Sequence, residues 1–80
     1  MKLIILNLPR DLNERSLALF FKKIGDIKSC TVVIDKYTKI SKGFGFVEMT
    51  SNYDGEMAIR ELHGTKIGKN KIRIKQSNDQ

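Results

Sequence analysis

Two phenylalanines stand two residues apart in the stretch KGFGFVEM, residues 42–49. If this stretch is a β-strand, Phe44 and Phe46 lie on the same face of a sheet, because side chains alternate along a strand. Lys42 precedes the pair. Aromatic rings beside cations suit a single-stranded nucleic acid, whose bases stack on rings and whose phosphates pair with Lys or Arg. This chemistry requires the two rings to face solvent and not the core.

The parity of this stretch predicts that both rings face solvent. If Val47 and Met49 point inward, Glu48 points outward together with the two phenylalanines. The opposite register would bury Glu48 without a partner, which costs several kcal/mol. Gly45 then lies on the inner face, where we expect it to sit beneath a closely packed helix.

The rest of the pattern predicts an α+β domain with the element order β-α-β-β-α-β. Short apolar or β-branched runs indicate strands, and apolar residues at helical spacing indicate helices. This order is typical of the ferredoxin-like sandwich, a four-stranded antiparallel sheet. Right-handed crossovers place both helices on one face and leave the other face open. We predict strands at 2–8, 27–34, 43–49 and 71–75, and helices at 13–25 and 52–62.

Local signals set the ends of the two predicted helices. Asn13 is a candidate N-cap of the first helix, and Gly25 is a candidate stop. Ser51 or Asn52 can cap the second helix, and Gly64 ends it. We expect residues 1–76 to form a single domain and residues 77–80 to be a disordered tail.

Alternation in each strand assigns side chains to the open face. The two rings would be surrounded there by apolar side chains, with basic residues to one side, because residues 66–75 contain five Lys or Arg and no acid. The candidate binding residues are Lys2, Ile4, Leu6, Thr31, Val33, Lys42, Phe44, Phe46, Glu48, Lys71, Arg73 and Lys75.

The charge of the chain favours a polyanionic partner. Fifteen Lys and Arg against nine Asp and Glu leave a net charge of +6, which suits RNA, DNA or an anionic membrane surface. The single cysteine, Cys30, excludes an internal disulfide and a cluster of Cys metal ligands. Its apolar neighbours predict a buried structural thiol.

Catalytic and metal-binding patterns are missing from the sequence. His63 is the only histidine and has no second ligand or nucleophile beside it, so we expect no catalytic residue, metal or cofactor. An enzyme of the acylphosphatase type would need a phosphate-cradling loop, and Arg10 follows the first strand without one. The N-terminal apolar run is too short for a signal peptide or a membrane span. We expect a cytoplasmic location, or a nuclear one in a eukaryote, and no membrane contact.

The stretch KGFGFVEM resembles the octamer [KR]-G-[FY]-[GA]-F-V-x-[FY] of the RNA recognition motif family. Seven of eight positions match, and Met49 replaces the last aromatic. LIILNL at 3–8 is similar to the hexamer of the family, and the resemblance extends over residues 2–75. It implies a sheet in the order fourth, first, third, second strand that binds single-stranded RNA, and sometimes single-stranded DNA. Lys42 would contact phosphate, Phe44 and Phe46 would contact sugar and base, and Asn7 would end the first strand.

One position departs from the family pattern. Ile4 stands where the hexamer usually carries a stacking aromatic, which implies one stacking surface fewer and binding weaker by ~1–3 kcal/mol. An alternative remains open, in which Ile4, Leu6, Val33 and the two phenylalanines form an apolar patch for a protein partner or for self-association. The main expectation is a monomer that binds single-stranded RNA, with single-stranded DNA as a second ligand.

Overall fold

A computed structural model describes residues 1–77, and most of its strands join one antiparallel sheet. The elements are β1 Lys2–Leu6, α1 Glu14–Lys22, β2 Ile27–Ile34, β3 Ser41–Met49, α2 Asn52–Leu62, β4 Lys66–Ile67, β5 Asn70–Lys71 and β6 Arg73–Gln76. The main sheet has the order β2-β3-β1-β6, and β4 pairs with β5 in a separate short hairpin. The predicted ferredoxin-like fold and its strand order are confirmed, with β6 as the predicted fourth strand. The β4–β5 hairpin was not predicted.

The core lies between the sheet and the two helices, as strand parity predicts. Leu3 and Ile5 of β1 and Val47 of β3 are completely buried. Leu17 and Phe21 of α1 meet them from the helix layer. Each fully buried side chain of this kind contributes about 1.5–3 kcal/mol relative to an exposed one, so this packing fixes which face of the sheet is inward. The remaining buried apolar residues are Leu8, Val32, Met49, Ala58, Ile72 and Ile74.

Side-chain caps begin both helices where the sequence places them. The Asn13 side chain accepts the Ser16 N–H at 2.8 Å, and the Ser51 hydroxyl accepts the Asp54 N–H at 3.0 Å. Each cap satisfies one of the free N–H groups of the first turn. The prediction that Asn13 caps the first helix is therefore confirmed, and Ser51 caps the second.

Gly25 does not act as the predicted helix stop. Helix α1 already ends at Lys22, and Lys23 is its cap in a right-handed conformation. A Cβ atom at Gly25 would collide with the carboxylate of Asp54. A larger residue at this position would have to displace the Asp54 side chain of α2, which a local sequence signal cannot show.

Gly45 is also surrounded differently from the prediction. A Cβ atom there would collide with the Thr31 carbonyl oxygen and approach the Val32 Cα atom to 3.2 Å. The crowding therefore comes from the backbone of β2, where the pairing with β3 shifts register after Val32, and not from a helix. A glycine at this position lets the two strands approach each other.

The β1–β6 pairing continues to the last described residue. Ser77, the first residue of the predicted disordered tail, donates its backbone N–H to the Lys2 carbonyl oxygen at 2.8 Å. The rest of that predicted tail, 78–80, lies outside the described residues.

Replacing Gly45 with alanine should lower the free energy of unfolding by about 1–3 kcal/mol, because the new methyl group must displace the β2 backbone. Denaturant unfolding measures the loss. Gly64→Asn is the matched control, since nothing lies within 4 Å of a Cβ atom there and asparagine tolerates its φ of 83°. Equal losses in the two variants would contradict the close approach of β2 and β3.

Candidate functional site

Two aromatic rings lie half-exposed on the sheet face opposite the helices. The ring centroids of Phe44 and Phe46 are 6.1 Å apart, and the ring planes meet at 82°. Their neighbours Gly45 and Val47 are buried, so alternation turns both rings away from the core. The predicted orientation is confirmed. Because the rings are nearly perpendicular, they present two separate surfaces and not one continuous platform.

The strand pairing arranges the open face in rows that cross the sheet. In the first row, Thr31 of β2, Phe46 of β3, Ile4 of β1 and Lys75 of β6 are successive partners. The position predicted to lack an aromatic, Ile4, therefore lies directly beside the Phe46 ring. An isoleucine offers apolar contact there but has no π-face for stacking.

A second row passes through the other ring. Phe44 pairs with Leu6, and Leu6 pairs with Arg73. Leu6 is half-buried and Arg73 is exposed, so this row runs from an aromatic to an aliphatic to a cationic side chain. Val33 is also half-buried and lies between Val32 and Ile34, where the register of β2 against β3 shifts.

A third row carries opposite charges. Lys2 of β1 is the partner of Glu48 on β3, and both are half-buried. The Lys2 Nζ atom lies 5.1 Å from the centroid of the Phe46 ring, which is within the range of a cation–π interaction. Lys2 therefore supports one ring while it remains on the open face.

Lys71 is not part of the main sheet, although it was predicted to lie in its last strand. It belongs to β5 and pairs with Lys66 of β4. Its carbonyl oxygen accepts the Asn7 side-chain N–H at 2.9 Å. Residues 71–75 alternate without interruption, so the sequence predicts one strand. In the structure Lys71 pairs within the hairpin and β6 begins only at Arg73, which a local pattern cannot show.

A cleft of about 620 Å³ lies at the end of the sheet beside Phe44. Sequence reasoning did not include Arg10 and Asn70 among the binding residues, and both line this cleft. No local sequence pattern marks them, because Arg10 lies in the segment after β1 and Asn70 lies in β5, and only the fold brings the two beside Phe44. The lining residues are Leu6, Asn7, Leu8, Arg10, Lys42, Gly43, Phe44, Asn70 and Arg73.

Asn7 joins the end of β1 to the β4–β5 hairpin. It has a left-handed φ of 64° directly after the last residue of β1, where the resemblance implies that the strand ends. Its side chain donates to the Lys71 carbonyl oxygen, and the Asn70 side chain donates to the Asn7 carbonyl oxygen at 3.2 Å. These two hydrogen bonds fix one wall of the cleft.

The loop between β2 and β3 is held by Asp35. Its carboxylate accepts the backbone N–H groups of Thr38 and Tyr37 at 2.9 Å and 2.8 Å. These hydrogen bonds favour the charged form and lower the pKa of Asp35, to which the charge of Lys42 also contributes. The loop presents an 82% exposed Tyr37.

Cys30 is half-buried, not fully buried as predicted. Burial, followed by the nearby charge of Glu14, raises the pKa of the thiol to about 11. The thiol is therefore protonated at neutral pH and is not an activated nucleophile. His63 has a structural contact, because its Nδ1 atom accepts the Ile74 N–H at 2.9 Å.

Residues 1–77 contain neither a metal-binding cluster nor a membrane-spanning helix. No group of three or more His, Cys, Asp or Glu in residues 1–77 is arranged to hold a metal ion. Neither helix in this range has the length and apolarity needed to cross a bilayer.

Comparisons with known proteins agree with this geometry. The family model described as RNA recognition motif matches residues 3–73. Cleavage and termination factor 1 of Schizosaccharomyces pombe is 35% identical over 74 residues, which are 91% of this chain and 20% of that protein. Protein sex-lethal of Drosophila melanogaster is 35% identical over 72 residues, which are 90% of this chain and 20% of that protein. The chain thus spans about one fifth of the length of these curated relatives.

A solved complex of the Sex-lethal protein with RNA has a similar structure. It superposes with a TM-score of 0.94 at 32% sequence identity, and it covers 99% of this chain and 47% of the matched chain. The similarity therefore includes both helices and all the strands described above.

Alkylation of Cys30 with iodoacetamide should follow a pH midpoint near 11 in the folded protein, against an ordinary value of 9.0 for the same thiol after unfolding. Near pH 8.5 the folded thiol should react on the order of 10- to 100-fold more slowly, because only the thiolate attacks. Glu14→Gln should lower the folded midpoint and leave the unfolded one unchanged. Identical midpoints for the folded and unfolded protein would contradict the effect of burial.

Proposed function

The chain belongs to the RNA recognition motif family, and on this basis we propose that it binds single-stranded RNA across the open face of its main sheet. One observation carries the proposal. Phe44 and Phe46 are half-exposed at the centre of that face, and basic residues flank them. The solved relative in complex with RNA supports the same ligand class.

Base stacking on the two phenylalanines supplies the sequence-tolerant part of the affinity. Each base stacked on an aromatic ring contributes ~1–3 kcal/mol. Ile4 and Leu6, the β1 partners of Phe46 and Phe44, add apolar contact around the rings, as does Val33 of β2. We therefore expect two stacked bases and weaker binding than a face with a third ring would give.

Polar and charged side chains around the rings bind the rest of the RNA chain. Lys42, Arg73 and Lys75 are exposed and contact phosphates. Lys2 contributes from beside Phe46, and Lys71 contributes from the hairpin. The Thr31 hydroxyl and the Glu48 carboxylate can hydrogen-bond base edges, which is how single strands are read.

The proposed activity is binding without catalysis, so it needs no cofactor or metal. Single-stranded DNA is a second ligand of the same face, because stacking and phosphate contacts do not depend on the 2′-hydroxyl. We propose that the protein acts as a monomer.

A second candidate function uses the same face. Ile4, Leu6 and Val33 are half-buried apolar side chains next to the two rings, and such a patch can bind a protein partner or a second copy of the chain. Sedimentation separates the two candidates. A dimer that dissociates in Ile4→Lys, together with no RNA binding at low salt, would support this second function.

Phe44→Ala and Phe46→Ala should each weaken binding to a mixed single-stranded RNA pool about tenfold, because each removes one stacked base. Fluorescence anisotropy at low salt measures the affinity. Tyr53→Ala is the matched control, since Tyr53 is a 70% exposed aromatic on α2, away from the open face. Thermal unfolding checks that all three variants fold. Unchanged affinity in both phenylalanine variants would refute the stacking mechanism.

Raising the salt concentration should weaken RNA binding with a slope of log K against log salt near −0.7 for each phosphate contacted. If Lys2, Lys42, Arg73 and Lys75 each contact one phosphate, the slope is about −3. Duplex RNA of the same length should bind more weakly, because its paired bases cannot stack on the rings. Equal affinity for duplex and single strand would argue against the proposed face.

A further inference from the structure

We propose that the cleft beside Phe44 is a phosphate clamp, in which Arg10 acts together with Lys42 and Arg73. The ligand is the phosphodiester group of the nucleotide next to the one whose base contacts Phe44. This inference rests on the proposed RNA binding and adds Arg10, a residue outside the strands and outside the octamer, to the binding residues.

Charge is the first argument for the clamp. Arg10 comes from the segment after β1, Lys42 from β3 and Arg73 from β6, so the fold brings three cations from distant parts of the chain to one cleft. Aspartate and glutamate are absent from the residues that line it. Three converging positive charges repel one another, and a bound anion relieves that repulsion.

The second argument is that the two arginines have no partner among the described residues. Within residues 1–77, neither the Arg10 nor the Arg73 guanidinium forms a hydrogen bond or an ion pair. A guanidinium has a fork of N–H donors that matches the oxygens of a phosphate. Both forks are therefore free for an external anion. Lys42 differs, because Asp35 lies close enough for the two charges to interact.

The position of Arg10 next to Phe44 is the third argument. A Cβ atom built at Gly43 would lie 3.7 Å from the Arg10 Nε atom, so the guanidinium stem passes over the residue just before Phe44. Gly43 has a φ of 85°, and its carbonyl oxygen accepts the Leu8 N–H at 2.8 Å. This contact holds the segment that carries Arg10 against the start of the octamer.

The opposite wall of the cleft is preorganised. The hydrogen bonds from Asn7 to the Lys71 carbonyl and from Asn70 to the Asn7 carbonyl fix the β4–β5 hairpin at the end of β1. Arg73 follows this hairpin directly and pairs with Leu6. Because the walls are already held, binding a phosphate orders few additional groups beyond the arginine side chains.

An adjoining cleft helps to localise the ligand. It shares Arg10 and Asn70 with the first cleft and contains Lys69, but it also contains Asp11. A carboxylate there opposes a second anion, so the phosphate belongs in the first cleft, where no acid is present.

The test compares Arg10→Gln with Arg60→Gln, which removes the same charge from an exposed position on α2 in the helix layer. Arg10→Gln should weaken binding of single-stranded RNA about tenfold, which is the effect of losing one charge-assisted hydrogen-bonded contact. It should also reduce the magnitude of the salt slope by about 0.7. Arg60→Gln should leave both quantities unchanged, and Arg10→Lys should keep the slope while losing part of the affinity.

A second measurement identifies the phosphate. In a bound single-stranded oligonucleotide, one linkage at a time is replaced by a neutral methylphosphonate. The unaltered protein should lose the most affinity at one linkage in particular, and Arg10→Gln should lose clearly less at that linkage, because only Lys42 and Arg73 still contact its phosphate. The Phe44→Ala variant keeps all three cations of the clamp, so its affinity should still fall when this linkage is made neutral.

The outcomes separate the clamp from the proposed function. If the unaltered protein binds RNA but Arg10→Gln and Arg60→Gln behave alike, or if Arg10→Gln keeps the full loss at every linkage, the clamp is wrong and RNA binding stands. If the unaltered protein does not bind single-stranded RNA, the proposed function fails and the clamp fails with it. Thermal unfolding of both variants verifies that the exposed substitutions leave the fold intact.

Discussion

Side-chain alternation along β3 is the constraint on which the rest of this protein depends. Burial of Val47 and Met49 against the helix layer is worth several kcal/mol, and it forces Phe44 and Phe46 to the opposite face. The exposed rings are therefore a consequence of core packing. A one-residue slip of β3 would bury the rings and expose the core residues together, so the exposure of the rings and the stability of the fold cannot vary independently.

β1 lies between β3 and β6 and thereby connects the two rings to the cations of the last strand. β1 pairs with β3 on one side and β6 on the other, so two of its outward residues each lie between a ring and a cation across the sheet. Ile4 joins Phe46 to Lys75, and Leu6 joins Phe44 to Arg73. Ile4 has no π-face, but its apolar side chain leaves the row across the sheet continuous.

The segments at the ends of the strands bring cations together beside Phe44. Asn7 leaves β1 in a left-handed conformation and binds the hairpin that precedes β6. The same change of direction places the segment with Arg10 over Gly43. Cations that are far apart in the sequence therefore meet beside Phe44, where the sheet ends. The face exposes two aromatic rings, and the cleft at its end collects three cations.

The sequence by itself determined the order of the elements, the inward set of residues and the outward position of Phe44 and Phe46, because period and parity are local properties of the chain. It also marked Asn13 as the cap of the first helix and left Ser51 or Asn52 as the cap of the second. Only the tertiary structure decided what surrounds Gly25 and Gly45, since the Asp54 side chain and the β2 backbone approach them from distant segments. The perpendicular rings, the separate β4–β5 hairpin and the cleft around Arg10 were decided there too, because non-local packing and the hydrogen bonds between β5 and the end of β1 set them.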